Sequence, residues 1–288
     1  MRMMDRLILM TQVIMVGLLL FPSSGVVAFI SLSKSSRVQF PISSRLFAIT
    51  DIETRTEQEC DVAIFGGGFG GLYTALAISR EAKLRRKKLD IRLVDSTDEF
   101  VFLPLLYDLT VGTATEAEVC PRYNDLLQGT GVQHLKASLD SLGTSEATLL
   151  PPSTNNHKNN RDHHHQTPSN TLLKFKTAVI SLGASPEAVL KAVPGAKDHA
   201  QPFYTREDAQ NMRRLLSRTR PTAQIVVVGG GYGGVELAAC VQRRLPQAEV
   251  VLVSRGPPMA GTRAEPLVDR ALKKLGVRVE DASVERIE

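Results

Sequence analysis

The chain has 288 residues, enough for about two domains, and its 43% hydrophobic and 23% charged residues are typical of a globular protein. It contains no Trp and only 5% aromatic residues, which argues against a base-stacking surface, so we expect no nucleic-acid partner. The three cysteines form no CxxC or CxxxxC pair. This excludes a redox-active dithiol of that spacing, and it disfavours a disulfide framework and a cysteine zinc site.

Most of the net charge of +5 lies at the N-terminus, because residues 1–50 hold five basic residues and one acidic residue. Within them, Met1–Arg6 is basic, Leu7–Phe21 is apolar apart from two polar residues, and Val26–Ala28 offers a small-residue cleavage site. This order is typical of a secretory signal peptide. An uncleaved membrane anchor is the alternative, although the apolar run is shorter than the ~20 residues that span a bilayer.

Residues 29–50 are rich in Ser, contain three basic residues and have no acidic residue, which is the composition of a transit peptide. A signal peptide followed by a transit peptide resembles the bipartite presequence of plastids acquired by secondary endosymbiosis. We therefore predict a plastid protein, with the mitochondrion as the alternative, whose folded part starts near Asp51.

A first βαβ pattern follows. It consists of a buried strand, a glycine-rich loop, a helix, a charged solvated segment and a second strand that ends at Asp95. These elements are predicted at Cys60–Phe65, Gly66–Gly71, Leu72–Ser79, Glu81–Lys88 and Leu89–Val94.

The middle of the chain is more mixed. We predict an apolar segment at Phe100–Leu109, a helix at Tyr123–Gln128, and strands at Gly131–Leu142, Leu172–Thr177 and Ala178–Leu182. The low-complexity stretch 148–170 is predicted to be a solvated insertion. It contains His163–His165, but no second ligand cluster accompanies them, so we predict no metal site. Thr205, with Asp208 three residues later, is a candidate helix N-cap.

A second βαβ pattern closes the chain. Its strands, loop and helices are predicted at Gln224–Val228, Gly229–Gly234, Val235–Arg244, Glu249–Val253 and Pro266–Leu275, with a further strand starting at Val277.

Both loops match GxGxxG, with Gly66, Gly68 and Gly71 in the first and Gly229, Gly231 and Gly234 in the second. The first glycine permits a tight turn, the second lets a pyrophosphate approach, and the third lets helix and strand pack closely. The backbone N–H groups at the helix start then bind phosphate. One such motif is weak evidence, but two in the same strand–loop–helix–strand context predict two dinucleotide sites.

The two second strands end differently. Asp95 can accept hydrogen bonds from ribose hydroxyls and would repel a 2′-phosphate, which suits FAD. The matching position in the second pattern is Ser254, followed by Arg255, whose guanidinium can pair with the 2′-phosphate of NADPH. We therefore predict FAD in the first site and NADPH, rather than NADH alone, in the second. An ordinary exposed arginine is the alternative interpretation of Arg255.

These patterns predict an α/β fold with two Rossmann-type dinucleotide-binding folds. We place the FAD-binding domain at 51–200, with the insert 148–170, and a partial NAD(P)H-binding domain at 201–288.

Several segments resemble the type II NAD(P)H:quinone oxidoreductases, or alternative NAD(P)H dehydrogenases, and most closely their C-type plastid and mitochondrial branch. They are 61–76, 100–112, 193–196, 202–209 and 226–238, within a resemblance that covers about residues 60–288. The resemblance implies a flavoprotein bound peripherally to a membrane. It would pass hydride from NAD(P)H to FAD and then electrons to plastoquinone or ubiquinone without pumping protons. A homodimer is compatible with it.

The resemblance also implies roles for single residues. Glu236 would lie near the contact of nicotinamide and flavin, the Pro104–Tyr107 segment near the isoalloxazine, and Gly183 at a close approach to FAD. The alternatives are a first-turn acid favoured by the helix dipole for Glu236 and plain core for Phe100–Tyr107.

Members of this family continue after the second Rossmann unit with a Gly-Asp motif and a C-terminal quinone segment, whereas this sequence ends at Glu288. We therefore expect a C-terminally truncated member. Two other functions stay open: another two-Rossmann flavoprotein, such as a ferredoxin or monodehydroascorbate reductase, and a non-catalytic nucleotide-binding fragment.

Overall fold

The computed structural model describes residues 56–151, 170–184 and 187–288. The presequence predicted for residues 1–50 and the run His163–His165 lie outside this part of the chain. The contacts divide the chain into two compact units. Of the described residues, unit 1 comprises those within 56–96 and 130–183, and unit 2 comprises those within 97–129 and 184–288.

Unit 1 is built on a six-stranded sheet in the order β3-β2-β1-β6-β5-β4. Its strands are β1 (Thr56–Phe65), β2 (Ile91–Asp95), β3 (Val132–Lys136), β4 (Ser138–Leu142), β5 (Glu146–Leu150) and β6 (Thr171–Ile180), and its helix is α1 (Phe69–Leu84). The four strands from β3 to β6 in this order are parallel, and β5 and β4 continue antiparallel. Because α1 connects parallel neighbours β1 and β2, the predicted first βαβ unit is confirmed.

Strand β1 is the centre of this sheet because its carboxyl-terminal half is buried between β2 and β6. Ala63, Ile64 and Phe65 are fully buried, while the exposed first half carries acidic residues. Salt bridges join Glu57 to Lys174 and Asp61 to Lys176 on β6, at 2.9 and 2.6 Å. Both salt bridges join β1 to β6, which pair in parallel over the whole of β1 except at Asp61.

Some predicted boundaries in unit 1 were wrong. The two strands predicted at 172–182 are the single strand β6, since it pairs with β1 along its whole length. The strand predicted at 131–142 breaks at Ala137, where the chain leaves β2 and begins to pair with β5. The insert predicted to start at Thr148 starts later, because Thr148–Leu150 belongs to β5 and buries Leu149.

Helix α1 extends into the segment predicted to be solvated and ends in a left-handed residue. The N–H of Arg86 donates to the Lys83 carbonyl and that of Lys87 to the Ala82 carbonyl, the hydrogen-bond pattern of a Schellman motif. Arg86 has φ +54°, a conformation for which glycine is preferred at this position.

Unit 2 contains a three-stranded parallel sheet in the order β7-β8-β9. These strands are β7 (Gln224–Val228), β8 (Glu249–Ser254) and β9 (Arg278–Asp281). A 3₁₀ turn lies at Leu103–Leu105, and the helices are α2 (Leu106–Val111), α3 (Glu116–Val119), α4 (Tyr123–Leu126), α5 (Glu187–Ala192), α6 (Ala196–His199), α7 (Arg206–Arg218), α8 (Tyr232–Arg244) and α9 (Glu265–Leu275). With α8 between β7 and β8, the second predicted βαβ unit is also confirmed.

The N-cap predicted at Thr205 is confirmed. The Thr205 hydroxyl accepts from the Asp208 N–H at 3.1 Å, and the Asp208 carboxylate accepts from the Thr205 N–H at 2.9 Å. The cap fixes the start of α7, which packs against α2. This contact groups residues 97–129 with the second sheet. Unit 2 therefore includes residues 97–129 and 184–200, which lie outside the domain predicted at 201–288.

Within the described ranges, no helix is long and apolar enough to cross a membrane. The same residues contain no cluster of three or more His, Cys, Asp or Glu side chains that could hold a metal ion.

Candidate functional site

The first glycine-rich loop connects β1 to α1 and leaves no space for a Cβ at two of its positions. Gly66 has φ +97°, and a Cβ there would lie 2.2 Å from the Ser181 carbonyl oxygen. A Cβ on Gly71 would lie 1.7 Å from the Gly66 carbonyl oxygen. These two glycines therefore serve the turn and the close packing of helix on strand, as the motif predicts.

Gly68, in contrast, faces open space. A Cβ at this position would meet no heavy atom within 4 Å. Gly68 is the N-cap of α1, and no side chain caps the helix there. The backbone N–H groups of a helix start carry partial positive charge and suit a phosphate, so the loop fits the pyrophosphate of a dinucleotide.

Asp95 lies beside this loop at the carboxyl end of β2. Its Oδ2 accepts a hydrogen bond of 2.6 Å from the Gly67 N–H. A carboxylate is thus positioned beside the glycine-rich loop, at the strand end where the motif predicts an acceptor for ribose hydroxyls.

Ser181 is a site residue that the sequence analysis missed. It follows β6, and its hydroxyl donates to the carbonyl oxygens of Gly66 at 2.9 Å and Phe65 at 3.2 Å. The hydroxyl therefore fixes the loop from the neighbouring strand. Gly183, two residues later, has φ +74° and is exposed, which agrees with a turn that favours glycine.

The second loop, in unit 2, matches the first in the positive φ of its first glycine and the close packing of its last, although a Cβ on Gly229, unlike one on Gly66, would meet no heavy atom within 4 Å. Gly229 has φ +121°, and a Cβ on Gly234 would lie 1.8 Å from the Gly229 carbonyl oxygen. Gly231 is the uncapped N-cap of α8, and a Cβ there would meet no heavy atom within 4 Å. In both loops, therefore, the first glycine of the motif has a positive φ, the second faces open space and the third packs closely against the first.

Ser254 ends β8 as Asp95 ends β2, and its side chain also lies beside its loop. It is buried, and a Cβ on Gly230 would lie 1.9 Å from its Oγ. Arg255 follows on the surface and is exposed. The sequence analysis missed Asp281 at the end of β9, whose Oδ1 accepts from the Gly256 N–H at 2.8 Å. A carboxylate therefore lies beside Gly256, the residue that follows Arg255.

Glu236 lies in the second turn of α8, so its interpretation as a first-turn acid was wrong. The Tyr107 hydroxyl of α2 lies near its carboxylate and interacts with it electrostatically. Although Glu236 is exposed, partial desolvation raises the pKa of its carboxyl, against the opposite effect of the Tyr107 hydroxyl. Burial and the neighbouring Glu236 charge raise the pKa of Tyr107, which keeps the phenol protonated.

The surroundings of Tyr107 hold its hydroxyl close to the second glycine loop. Its ring packs on Phe203 with centroids 5.1 Å apart, and a Cβ on Gly233 would lie 3.2 Å from its hydroxyl oxygen. In the segment before it, Phe100, Phe102 and Leu106 are buried. Core packing thus accounts for these three residues, while Pro104 is exposed in the 3₁₀ turn of unit 2.

Residues 60–288 match the profile of the pyridine nucleotide-disulphide oxidoreductase family. The chain belongs to this family. The name includes disulfide-reducing members, but here Cys60, Cys120 and Cys240 are all free thiols, and burial raises the pKa of the first two to about 11.

Two similar relatives within the family confirm the resemblance to alternative NAD(P)H dehydrogenases. One is the alternative NAD(P)H-ubiquinone oxidoreductase C1, chloroplastic/mitochondrial, of Arabidopsis thaliana, 38% identical over 66% of this chain and 37% of the relative. The other is the demethylphylloquinone reductase NdbB of Synechocystis sp., 33% identical over 70% of this chain and 48% of the relative. The chain thus spans half or less of the length of these relatives.

Among solved structures, NDH2 of Plasmodium falciparum in complex with NADH superimposes with a TM-score of 0.61 at 17% identity. The match covers 80% of this chain and 50% of the other. This likeness confirms the predicted α/β fold class with two Rossmann-type folds.

The contrast between open and closed glycines generates the first prediction. Gly68→Ala adds a methyl group to open space, so the full chain should unfold at the wild-type temperature but take up at least tenfold less FAD. Gly71→Ala forces a clash with backbone and should cost about 3 kcal/mol or more of stability. Thermal unfolding and the flavin content of the purified proteins check both. Equal destabilisation by the two substitutions would contradict the assignment of Gly68 to ligand approach.

The raised pKa of Glu236 predicts how the stability of the fold depends on pH. An acid whose folded-state pKa is raised destabilises the fold once pH rises above the ordinary carboxyl value of 4.5, because the folded state then holds a disfavoured carboxylate. Glu236→Gln keeps an oxygen that can accept from the Tyr107 hydroxyl. The variant should unfold at a slightly higher temperature than wild type at pH 8, and the difference should vanish below about pH 4.

The matched control is Glu285→Gln, an exposed residue for which the described structure shows no ion pair. It should leave the unfolding temperature unchanged at both pH values. A loss of stability in Glu236→Gln at pH 8 would show that the carboxylate is favoured where it lies.

Proposed function

We propose that unit 1 binds FAD, that unit 2 binds NAD(P)H, and that the chain is the dinucleotide-binding part of an NAD(P)H:quinone oxidoreductase that does not pump protons. The observation that carries this proposal is the identical placement of turn, open and close-packed glycines in two loops of one chain. One such loop would support a single nucleotide site. Two loops, in a member of this family, support a donor site and a flavin site.

The residues would divide the work as follows. In unit 1, the N–H groups around Gly68 bind the pyrophosphate, and Asp95 accepts from the ribose. In unit 2, the N–H groups around Gly231 bind the second pyrophosphate, and Arg255 lies on the surface where a 2′-phosphate would pair with it. The bound cofactors would supply the hydride chemistry, from nicotinamide to flavin and onward to a quinone.

Glu236 and Tyr107 would contribute a hydrogen-bonding pair near the donor site. The phenol stays protonated, so it can donate to the nearby Glu236 carboxylate and limit the orientations of that carboxylate. Together they can orient a neighbouring donor group. This role, like the positions of Pro104 and Gly183 near the flavin, rests on the family resemblance.

We further propose that the acceptor is a membrane quinone, plastoquinone or ubiquinone, at the surface of a plastid or mitochondrial membrane. The names of the two relatives support this part, because they specify ubiquinone and demethylphylloquinone and, for the plant relative, chloroplast and mitochondrion. A homodimer stays compatible with this proposal.

The spectrum of the purified full chain tests the proposal. We expect a visible flavin band that NADPH bleaches under anaerobic conditions. Gly231→Ala should stay yellow but resist bleaching, because the methyl group occupies only the open position of the second loop. Gly68→Ala should be colourless. Colourless wild-type protein that takes up no added FAD would sink the proposal and leave a nucleotide-binding fragment without flavin chemistry.

The choice between NADPH and NADH depends on two opposite charges near the end of β8. Arg255→Gln should lower the preference for NADPH over NADH about tenfold, the factor that corresponds to ~1.4 kcal/mol. Asp281→Asn should raise this preference, because it removes a negative charge beside Gly256, the residue that follows Arg255. Reduction rates of the bound flavin at limiting concentrations of each nucleotide measure both. No change in either variant would place the specificity elsewhere.

A further inference from the structure

The C-terminal end of α1 has a concentration of basic side chains. A cavity of about 310 Å³ opens in unit 1 between the end of α1, the start of β2 and the residues before β3. Ala82 and Ile91 are buried and form apolar wall, while four cationic side chains line the rest: Lys83, Arg86, Lys87 and Lys88. The volume lies at the lower end of the roughly 300–1,000 Å³ that small-ligand sites occupy.

The charge around this cavity is unbalanced. Its lining contains no acidic residue. The nearby Glu81 pairs with Arg85 at 2.6 Å, outside the lining. In the part of the chain that the structure describes, Arg86, Lys87 and Lys88 form no ion pair. Like charges held around one concave surface repel each other, and an anion in the cavity would replace this repulsion with attraction.

The backbone conformation of Arg86 is a second sign that a cation is needed beside this cavity. The residue occupies the left-handed position of the Schellman motif, with φ +54°, where glycine would be less strained. The C-terminal dipole of α1 also favours cations and would explain Lys83. It does not explain an arginine in a conformation that favours glycine, beside a cavity whose lining contains no acidic residue.

We propose that this basic cavity binds a phosphate group carried by an organic ligand, either a soluble phosphate ester or a lipid headgroup. Arg86 can hold two phosphate oxygens with parallel N–H groups, the lysines supply point charges, and the apolar wall accommodates the adjoining carbon atoms. The site is separate from the proposed FAD cradle, because the two lie at opposite ends of α1, whose 16 residues form a helix about 24 Å long.

Titration of the full chain with glycerol 3-phosphate, and with inorganic phosphate as the group alone, tests the soluble source. Lys87→Gln/Lys88→Gln should weaken binding about tenfold, since two of the four charges are lost. The matched control is Arg243→Gln/Arg244→Gln, which removes two exposed charges from the end of α8 and should leave binding unchanged.

Arg86→Gly separates binding from folding. It removes a cation and relieves the left-handed strain, so it should weaken phosphate binding while the unfolding temperature stays the same or rises. A variant that lost binding through misfolding would show the opposite change in unfolding temperature.

Flotation with vesicles tests the lipid source. Vesicles of phosphatidylcholine with one-third phosphatidylglycerol should bind the full chain more strongly than phosphatidylcholine alone, and Lys87→Gln/Lys88→Gln should reduce this difference more than the control pair does. Because residues 1–50 are common to all variants, their own affinity for vesicles cancels in the comparison.

Binding in either arm with this residue dependence supports the proposal and identifies the source. Loss of binding to the same extent in both double variants would indicate general charge attraction and overturn it. So would the absence of binding in both arms. Since the flavin spectrum and its bleaching by NADPH should be normal in Lys87→Gln/Lys88→Gln, this outcome is independent of the proposed oxidoreductase function.

Discussion

Contact between backbone atoms that leaves no space for a Cβ is the constraint on which both dinucleotide loops depend. At Gly71 and Gly234, a Cβ would lie 1.7 and 1.8 Å from the carbonyl oxygen of the first glycine of the same loop. The start of each helix is therefore pressed against the end of the preceding strand. This contact directs the helix N-terminus, with its N–H groups, toward the carboxyl edge of the sheet, where Asp95 and Ser254 end the neighbouring strands.

The two units use this common frame with different charges. In unit 1, a carboxylate accepts from the middle of the loop, and a serine hydroxyl from β6's end fixes the turn. In unit 2, the corresponding carboxylate is replaced by the buried Ser254, and the charged groups Arg255 and Asp281 lie farther out on the surface. The two units thus differ most in the side chains beside the loops, while both loops have an open glycine at the helix N-cap and a close-packed glycine at their end.

Helix α1 joins two chemically distinct ends of unit 1. Its uncapped N-terminus offers partial positive charge from the backbone, whereas its C-terminus is followed by cationic side chains around a cavity. The strained Arg86 stands where a glycine would be more stable, so retention of the cation costs some folding stability. Phosphate binding by Arg86 would explain why an arginine occupies this position. Because the cavity and the glycine loop lie at opposite ends of α1, we expect phosphate and flavin to bind independently.

The sequence by itself determined the parts that depend on local pattern. Alternation, glycine spacing and the cap at Thr205 predicted both βαβ units, the loop glycines and the start of α7, because each depends on neighbours within a few residues. Tertiary structure decided the remainder. Ser181, Asp281 and Tyr107 reach the candidate sites from strands and helices distant in sequence, β6 joins two predicted strands because β1 pairs along its whole length, and residues 97–129 pack with the second sheet. Such contacts are set by long-range pairing and packing, which no short window of sequence contains.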